Sequence, residues 1–307
     1  MQTALSRGKG RTVRSPMARR EAIAGYLFTA PAVLGFLIWV AGPMLFSAWL
    51  SLTKWDLLSP PEFIGLGNYV AMFQDDLFWQ SLRVTFYFTI VSVPLFQASA
   101  LAVALLMNVK VRGISVFRTI YFLPSIVPLV ANAMLWAWIL NSDFGLLNAV
   151  LRFLGLPKVL WLQDPRWAMP ALITMSLWGI GGAMLIYLAG LQGVPQQLYE
   201  AAEMDGANWW HRFRHITIPM LSPVIFFNLL LGLIGALQTF TQGYIMTNGG
   251  PQNSTLFYAL YLYRRAFTNF QMGYASALAW VLFLIVLVLS VFVFRYIGRQ
   301  VYYEEGH

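Results

Sequence analysis

The polar side chains that could do chemistry in this sequence give no sign of a catalytic centre. His211 and His215 share one loop and His307 is terminal, so the histidines do not gather on an apolar run. Cysteine is absent, which excludes disulfides and thiolate metal sites. No Gly-x-x-x-x-Gly-Lys-Ser/Thr phosphate loop occurs. We therefore predict no catalytic residue, no metal site and no nucleotide bound by this chain.

Amides, hydroxyls and indoles within the apolar runs favour the binding of a neutral polar solute. An amide in hydrocarbon needs a hydrogen-bond partner, so such groups either join helices or line a wet cavity. Sugars present hydroxyls to amides and an apolar face to aromatic rings. The candidate pathway residues are Ser125, Asn132, Trp136, Ser176, Trp178, Gly179, Gln238, Thr239 and Gln242. For the two tryptophans, packing against lipid or core is the alternative.

A charged stretch, Glu200 to Gly206, interrupts two long apolar runs. Its residues before Gly206 favour a helix, which a glycine can end by taking positive φ. Asn208 can cap a second short helix, and Pro219 marks the next apolar run. The pattern predicts a helix, a glycine turn and a helix. An ordinary amphipathic connection between spans would look similar.

The composition is that of a polytopic membrane protein. Of 307 residues, 59% are hydrophobic and 10% are charged, which is too little polar surface for a soluble domain of this size. Since a spanning helix needs about 20 apolar residues, we predict an all-α protein with six transmembrane helices. They lie at about 24–50, 82–107, 120–140, 168–191, 218–246 and 273–294. The run 256–263 is too short to cross and is predicted to be interfacial or covered by protein outside the bilayer.

The net charge is +8, and the basic residues are distributed unevenly between the loops on the two sides of the membrane. Most lie in the N-terminal tail, the second and fourth loops and the C-terminal tail, which places both termini and the Glu200 loop in the cytoplasm. We predict a basic cytoplasmic tail (1–20) and a six-span domain (21–307) with a cytoplasmic loop at 194–219. A nucleic-acid partner would need basic residues converging on one folded face, so we expect a lipid bilayer and no nucleic acid.

The charged loop resembles the signature of ABC importer permeases. Glu200-Ala201-Ala202, three residues, Gly206, nine residues, Ile216, one residue and Ile218-Pro219 match its spacing, with Ile218 where the family has leucine. In that family the loop is a coupling helix that docks on a cytoplasmic ATPase. The resemblance implies ATPase-coupling roles for Glu200, Ala201, Ala202, Asp205, Gly206, Ile216 and Pro219.

Further matches extend the resemblance over about 82–294 and narrow it to carbohydrate importers. They include the runs 118–128, 246–251 and 272–277. The pattern is similar to the first permease of a heterodimeric pair in maltose, lactose and glycerol-phosphate importers.

This resemblance implies an ATP-driven importer of a sugar or related polyol. The implied partners are a second homologous permease, two ATPase subunits that bind ATP and Mg, and an extracytoplasmic solute-binding protein. The implied location is the cytoplasmic (inner) membrane of a bacterium or archaeon. An ion-gradient-driven secondary transporter is the alternative, and it would normally need an intramembrane acid or ion-binding pocket. A membrane-embedded enzyme would need histidine or carboxylate clusters near the interface.

Overall fold

We describe the protein from a computed structural model, which covers residues 16–109, 111–296 and 298. The predicted basic tail up to residue 15 lies outside these residues, as do Lys110, Arg299 and His307. The chain divides between Leu50 and Ser51 into two compact units.

The first unit is a long apolar helical run. It consists of α1 (Pro16–Phe36), a π-helical turn (Leu37–Ala41) and α2 (Gly42–Leu50). Residues 19–50 together are long and apolar enough to cross a membrane. The irregularity that the glycines and prolines of this run predict takes the form of the π-helical turn.

The second unit is helical apart from one small hairpin. Its strands, β1 (Thr53–Lys54) and β2 (Glu62–Phe63), pair antiparallel. Its α-helices are α3 (Gly67–Phe73), α4 (Asp76–Met107), α5 (Ile114–Ile126), α6 (Leu129–Ile139), α7 (Leu146–Phe153), α8 (Pro165–Trp178), α9 (Gly181–Gly193), α10 (Gln196–Met204), α11 (Trp209–Arg212), α12 (Ile218–Met220), α13 (Ser222–Leu237), α14 (Tyr258–Tyr263) and α15 (Met272–Tyr296). Three π-helical turns, Phe213–Thr217, Gly243–Thr247 and Arg264–Thr268, lie among them. Sequence analysis missed β1, β2, α3 and α7, because such short elements carry little periodicity.

Three bends interrupt the helices that form the predicted spans. α4 and α15 are continuous and long enough to cross a membrane, but α5 meets α6 at 98° and α8 meets α9 at 48°. The run Trp209–Met220 meets α13 at 67°. If each bent pair is one span, the described residues hold up to six spans, the number that the sequence predicts.

Local chemistry explains the largest bend. Pro128 has no backbone N–H and disfavours helical geometry in the residue before it. Val127 is accordingly extended, with φ −66° and ψ 127°. The span predicted at 120–140 therefore consists of two helices.

The helix of the fifth predicted span is interrupted after Leu237 and resumes over residues 241–247. Gln238 leaves helical geometry (φ −100°, ψ 14°), and Thr239 and Phe240 are not helical. Thr239 N donates instead to Ala236 O at 3.3 Å. Hydrophobic periodicity does not detect a break that contains neither glycine nor proline.

α4 is the central helix of the second unit and packs against α8, α9, α13 and α14. A buried polar node joins three of these helices. Gln97 Nε2 donates to Asn228 O at 2.7 Å, and Tyr187 OH donates to Gln97 Oε1 at 2.9 Å. Hydrogen bonds in an apolar interior fix the register of neighbouring helices. Sequence analysis did not identify this node.

α14 fills the predicted short segment after the fifth span. Tyr258, Leu260 and Tyr261 are buried, as expected for a segment covered by protein. Its position relative to the bilayer stays a prediction.

Candidate coupling surface and solute pathway

The charged stretch folds as the predicted helix, glycine turn and helix. α10 ends at Met204, and Gly206 follows with φ +79°. Gly206 N donates to Glu203 O (3.0 Å) and Ala207 N donates to Ala202 O (2.9 Å), which satisfies two carbonyls at the helix end. A Cβ on Gly206 would meet no atom within 4 Å. Backbone conformation, not space, therefore requires glycine here.

One side-chain contact caps α11 and another joins α10 to α11. Asn208 Oδ1 accepts a hydrogen bond from His211 N at 2.9 Å and caps α11. An ion pair joins Glu203 of α10 to Arg212 of α11. We call residues 196–212 the coupling unit.

The coupling unit presents a mixed apolar and charged surface. The exposed fraction of Met204 is 89% and that of Trp209 is 62%, and the Trp209 ring stacks on Phe213 at 5.4 Å. Of the predicted coupling residues, Glu200, Ala201, Asp205 and Gly206 are exposed, whereas Ala202, Ile216 and Pro219 are half-buried. Exposed tryptophans are typical anchors of protein interfaces. Met204 and Trp209 are functional candidates that sequence analysis left out, and their signal was bulky apolar residues in a polar loop.

Three predicted pathway residues line one cavity. Ser176, Thr239 and Gln242 face the middle of α4 around a volume of about 180 Å³, which we call the pathway cavity. From α4 the lining is Phe88, Ser92, Val93 and Phe96. Amides, hydroxyls and aromatic rings together suit a neutral hydroxylated solute. Small-molecule sites usually measure about 300–1,000 Å³, so in this conformation the pathway cavity holds only part of a sugar.

Two tryptophans from different predicted spans are in contact. The rings of Trp136 and Trp178 meet edge to face, with centroids 5.9 Å apart. Among the described residues, the buried Trp136 Nε1 has no hydrogen-bond partner, and neither has Asn132 Oδ1, one turn earlier on α6. Buried unpaired polar atoms are costly and usually mark a bound water, a ligand or a change of conformation. Asn132 and Trp136 therefore remain pathway candidates.

Six of the nine candidates do not line the pathway cavity: Asn132, Trp136 and Trp178, and also Gln238, Ser125 and Gly179. Gln238 is exposed at the end of α13, and residues 239–240 interrupt the helix before Gln242. Ser125 is exposed, and its hydroxyl donates to Phe122 O at 2.6 Å. Gly179 ends α8 at the 48° bend. Their pathway roles stay predictions.

The described residues contain no group of three or more His, Cys, Asp or Glu side chains that could hold a metal ion. What the structure does contain is a set of apolar helices, a small cavity beside the central one with apolar and polar lining, and an exposed coupling unit. These features are typical of multi-pass membrane permeases.

The chain belongs to the family described as binding-protein-dependent transport system inner membrane component, whose profile matches residues 64–300. It is therefore the permease subunit of an ABC importer and not its ATPase. The alternative of a secondary transporter is not supported.

Related permeases are similar in sequence to this chain over nearly its whole length. YesP of Bacillus subtilis (strain 168), described as a probable ABC transporter permease protein, is 45% identical over 95% of this chain and 96% of its own length. The lactose transport system permease protein LacF of Rhizobium radiobacter is 39% identical over 94% of this chain and 98% of its own length. A similar fold occurs in the crystal structure of a bacterial ABC transporter involved in the import of the acidic polysaccharide alginate. One of its chains superposes with a TM-score of 0.79 at 26% identity, over 92% of this chain and 96% of that chain.

Proposed function

We propose that this permease translocates a neutral sugar or related polyol that an extracytoplasmic solute-binding protein delivers. Relatives named for lactose and for trehalose and maltose support the solute class. The windows 84–109, 119–142 and 168–191 carry no charged residue, which favours a neutral solute over an acidic one.

The observation that carries the mechanism is the exposed coupling unit. Its ion pair joins α10 to α11, and its asparagine cap fixes the start of α11. A surface held in this way can pass the motion of an ATPase to the spans that begin and end beside it. In the proposed cycle, ATP and Mg close a pair of ATPase subunits, the coupling unit moves with them, and the spans of this chain and a second homologous permease open outward.

The proposed solute contacts in this subunit are Ser176, Thr239 and Gln242, with Asn132 and the Trp136–Trp178 pair close to the same route. Because the pathway cavity is small in this conformation, the helices must separate before a whole sugar can enter. Both termini and the coupling unit are proposed to lie in the cytoplasm of a bacterium or archaeon.

Reconstituted vesicles test the proposal. The chain is purified from its native membrane, and the associated subunits are identified by mass. Uptake of maltose, trehalose and lactose is then measured with and without ATP, and with an uncoupler. We expect an ATPase and a second permease to co-purify, and uptake of at least one sugar to need ATP and survive the uncoupler. Uptake that the uncoupler abolishes, or no ATP-dependent uptake of any of these sugars, contradicts the proposal.

A further inference from the structure

A second and larger cavity lies at the beginning of α4, well away from the pathway cavity. Its volume is about 470 Å³, and we call it the entrance cavity. Its chemically informative lining residues are Lys54, Trp55, Asp56, Arg265, Gln271 and Tyr274. The two cavities share no lining residue. In the proposed topology this end of α4 faces the outside.

We propose that the entrance cavity is a separate binding subsite for a neutral sugar ring, which the solute occupies before it reaches the pathway cavity. The solute class rests on the proposed function. The site itself rests on the groups described next.

The floor of the entrance cavity is a closed polar cluster around Asp75. Its Oδ1 caps α4 by accepting from Leu77 N at 2.9 Å. Its Oδ2 accepts from Arg265 Nη2 at 2.6 Å, from Tyr274 OH at 3.0 Å and from Tyr261 OH. The charges of Asp75 and Arg265 thus compensate each other, and the floor attracts neither anions nor cations.

One wall carries a carboxylate that is fixed through a single oxygen. Asp56 Oδ1 accepts from Ser59 Oγ (2.7 Å), Ser59 N (2.8 Å) and Leu58 N (3.1 Å). The hydrogen bond from the Ser59 hydroxyl, followed by those from the two backbone amides, lowers the pKa of Asp56 to about 2. The carboxylate is therefore ionised at neutral pH, and its Oδ2 is available to accept from a ligand hydroxyl.

Other lining residues supply donors. Gln271 Oε1 accepts from Arg265 Nη1 at 3.2 Å, which orients the amide and leaves its N–H groups for a ligand. Lys54, which is exposed, adds an ammonium donor. Groups held through one atom and open at another are preorganised for binding, because little conformational entropy is lost.

The aromatic lining and the charge balance point to a sugar. Trp55 and Tyr274 line the cavity, and aromatic rings pack against the apolar C–H face of a sugar. Lys54 balances Asp56, as Arg265 balances Asp75, so an uncharged ligand fits better than an ion. The volume lies within the range of about 300–1,000 Å³ that is usual for small-molecule sites.

Protection of a single cysteine tests the proposal, because the chain has no native cysteine. Ala71 lines the entrance cavity and is exposed. Phe153, which is 91% exposed and does not line it, is the control position. The complete complex with Ala71→Cys or Phe153→Cys is placed in nanodiscs without the binding protein. Its reaction rate with a charged thiol reagent is measured with and without millimolar maltose, trehalose or lactose.

We expect at least one sugar to slow modification at position 71 several-fold and to leave position 153 unchanged. In the Ala71→Cys background, Asp56→Asn and Gln271→Leu should each reduce the protection, whereas Gln242→Ala in the pathway cavity should leave it intact. No protection by any of these sugars overturns the proposal, and so does protection that survives both entrance-cavity substitutions. Vesicle uptake by the wild-type complex separates the two hypotheses: transport without protection rejects only the entrance cavity, and protection without transport rejects only the proposed function.

Discussion

Gly206 sets the geometry of the coupling unit through its backbone alone. A β-branched residue at φ +79° is strained by about 1–2 kcal/mol, although a Cβ there would meet open space. We expect Gly206→Val to reduce ATPase co-purification and sugar uptake while sugar protection of the entrance cavity persists. Gly193→Val is the matched control, since its Cβ also meets open space and its φ is not positive. Equal loss in both variants, or normal transport by Gly206→Val, contradicts the assigned role.

Variants of Gln242 and Gln238 can distinguish a role in solute binding from a structural role. Gln242 lines the pathway cavity and Gln238 does not. Loss of one hydrogen bond to a neutral hydroxyl costs about 0.5–1.5 kcal/mol, so Gln242→Ala should raise the apparent KM for uptake about 2–13-fold. Thr239→Val with Gln242→Ala should raise it further. Gln238→Ala should change the apparent KM little. A larger rise in KM for Gln238→Ala than for Gln242→Ala would show that the solute contact had been assigned to the wrong residue.

The residue-level predictions succeeded where chemistry is local and failed where it is not. Gly206 and Asn208 take the roles that the sequence suggests, because helix ends depend on a few neighbouring residues. The sequence did not show that Gln238 lies off the pathway cavity, because the break after Leu237 has no glycine or proline. Asp56, Asp75 and Gln271 were missed as a group, because only the fold brings these residues together.

At the scale of elements, the Gln97 node joins α4, α9 and α13. Gln97→Leu leaves the buried Tyr187 hydroxyl and Asn228 carbonyl without their partner, and an unsatisfied buried group costs about 1–3 kcal/mol. We expect a lower Tm for the purified complex. Adding Tyr187→Phe should recover part of the loss, because it removes one unpaired group. A double variant with two additive losses would show that the node does not couple these helices.

The Asp75 cluster ties the start of α4 to α14 and α15. Burial raises the pKa of Asp75, but hydrogen bonds from Tyr261, Leu77 and Tyr274 and the charge of Arg265 outweigh it, so the pKa lies below its ordinary value of 3.8. A carboxylate with a lowered folded pKa stabilises the fold fully above the ordinary value. That contribution is lost as the pH falls through the folded pKa.

Asp75→Asn should therefore lower the Tm at pH 7, and the difference from wild type should shrink below about pH 4. The measurement is the Tm of the purified complex between pH 7 and pH 3. Asp76→Asn, at an exposed neighbouring position, is the control and should leave the Tm near wild type. A difference that stays constant down to pH 3 would rule out the charge of Asp75 as its source.

Over the whole molecule, apolar windows and loop charges are enough to anticipate a helical membrane permease with up to six spans. They cannot reveal the bends, because a window of apolar residues looks the same whether the helix is straight or turns at its middle. Proline is only a partial guide. Pro128 accompanies a 98° bend, whereas Pro94 lies inside the continuous α4.

Topology is testable with two equally exposed positions. Leu58 is 90% exposed in the hairpin loop, and Met204 is 89% exposed in the coupling unit. In intact cells with the outer barrier opened, a membrane-impermeant thiol reagent should label Leu58→Cys and spare Met204→Cys. Both should be labelled after the membrane is permeabilised. Labelling of Met204→Cys and not of Leu58→Cys in intact cells would show that the orientation is the opposite of the proposed one.

The bend at Pro128 also constrains how the chain is made. α5 has 13 residues and α6 has 11, and neither reaches the roughly 20 residues that carry a helix across a bilayer. If the two helices cross the membrane as one span, we expect the translocon to recognise only the combined segment. The 98° turn would then form after insertion, as the neighbouring helices pack against it.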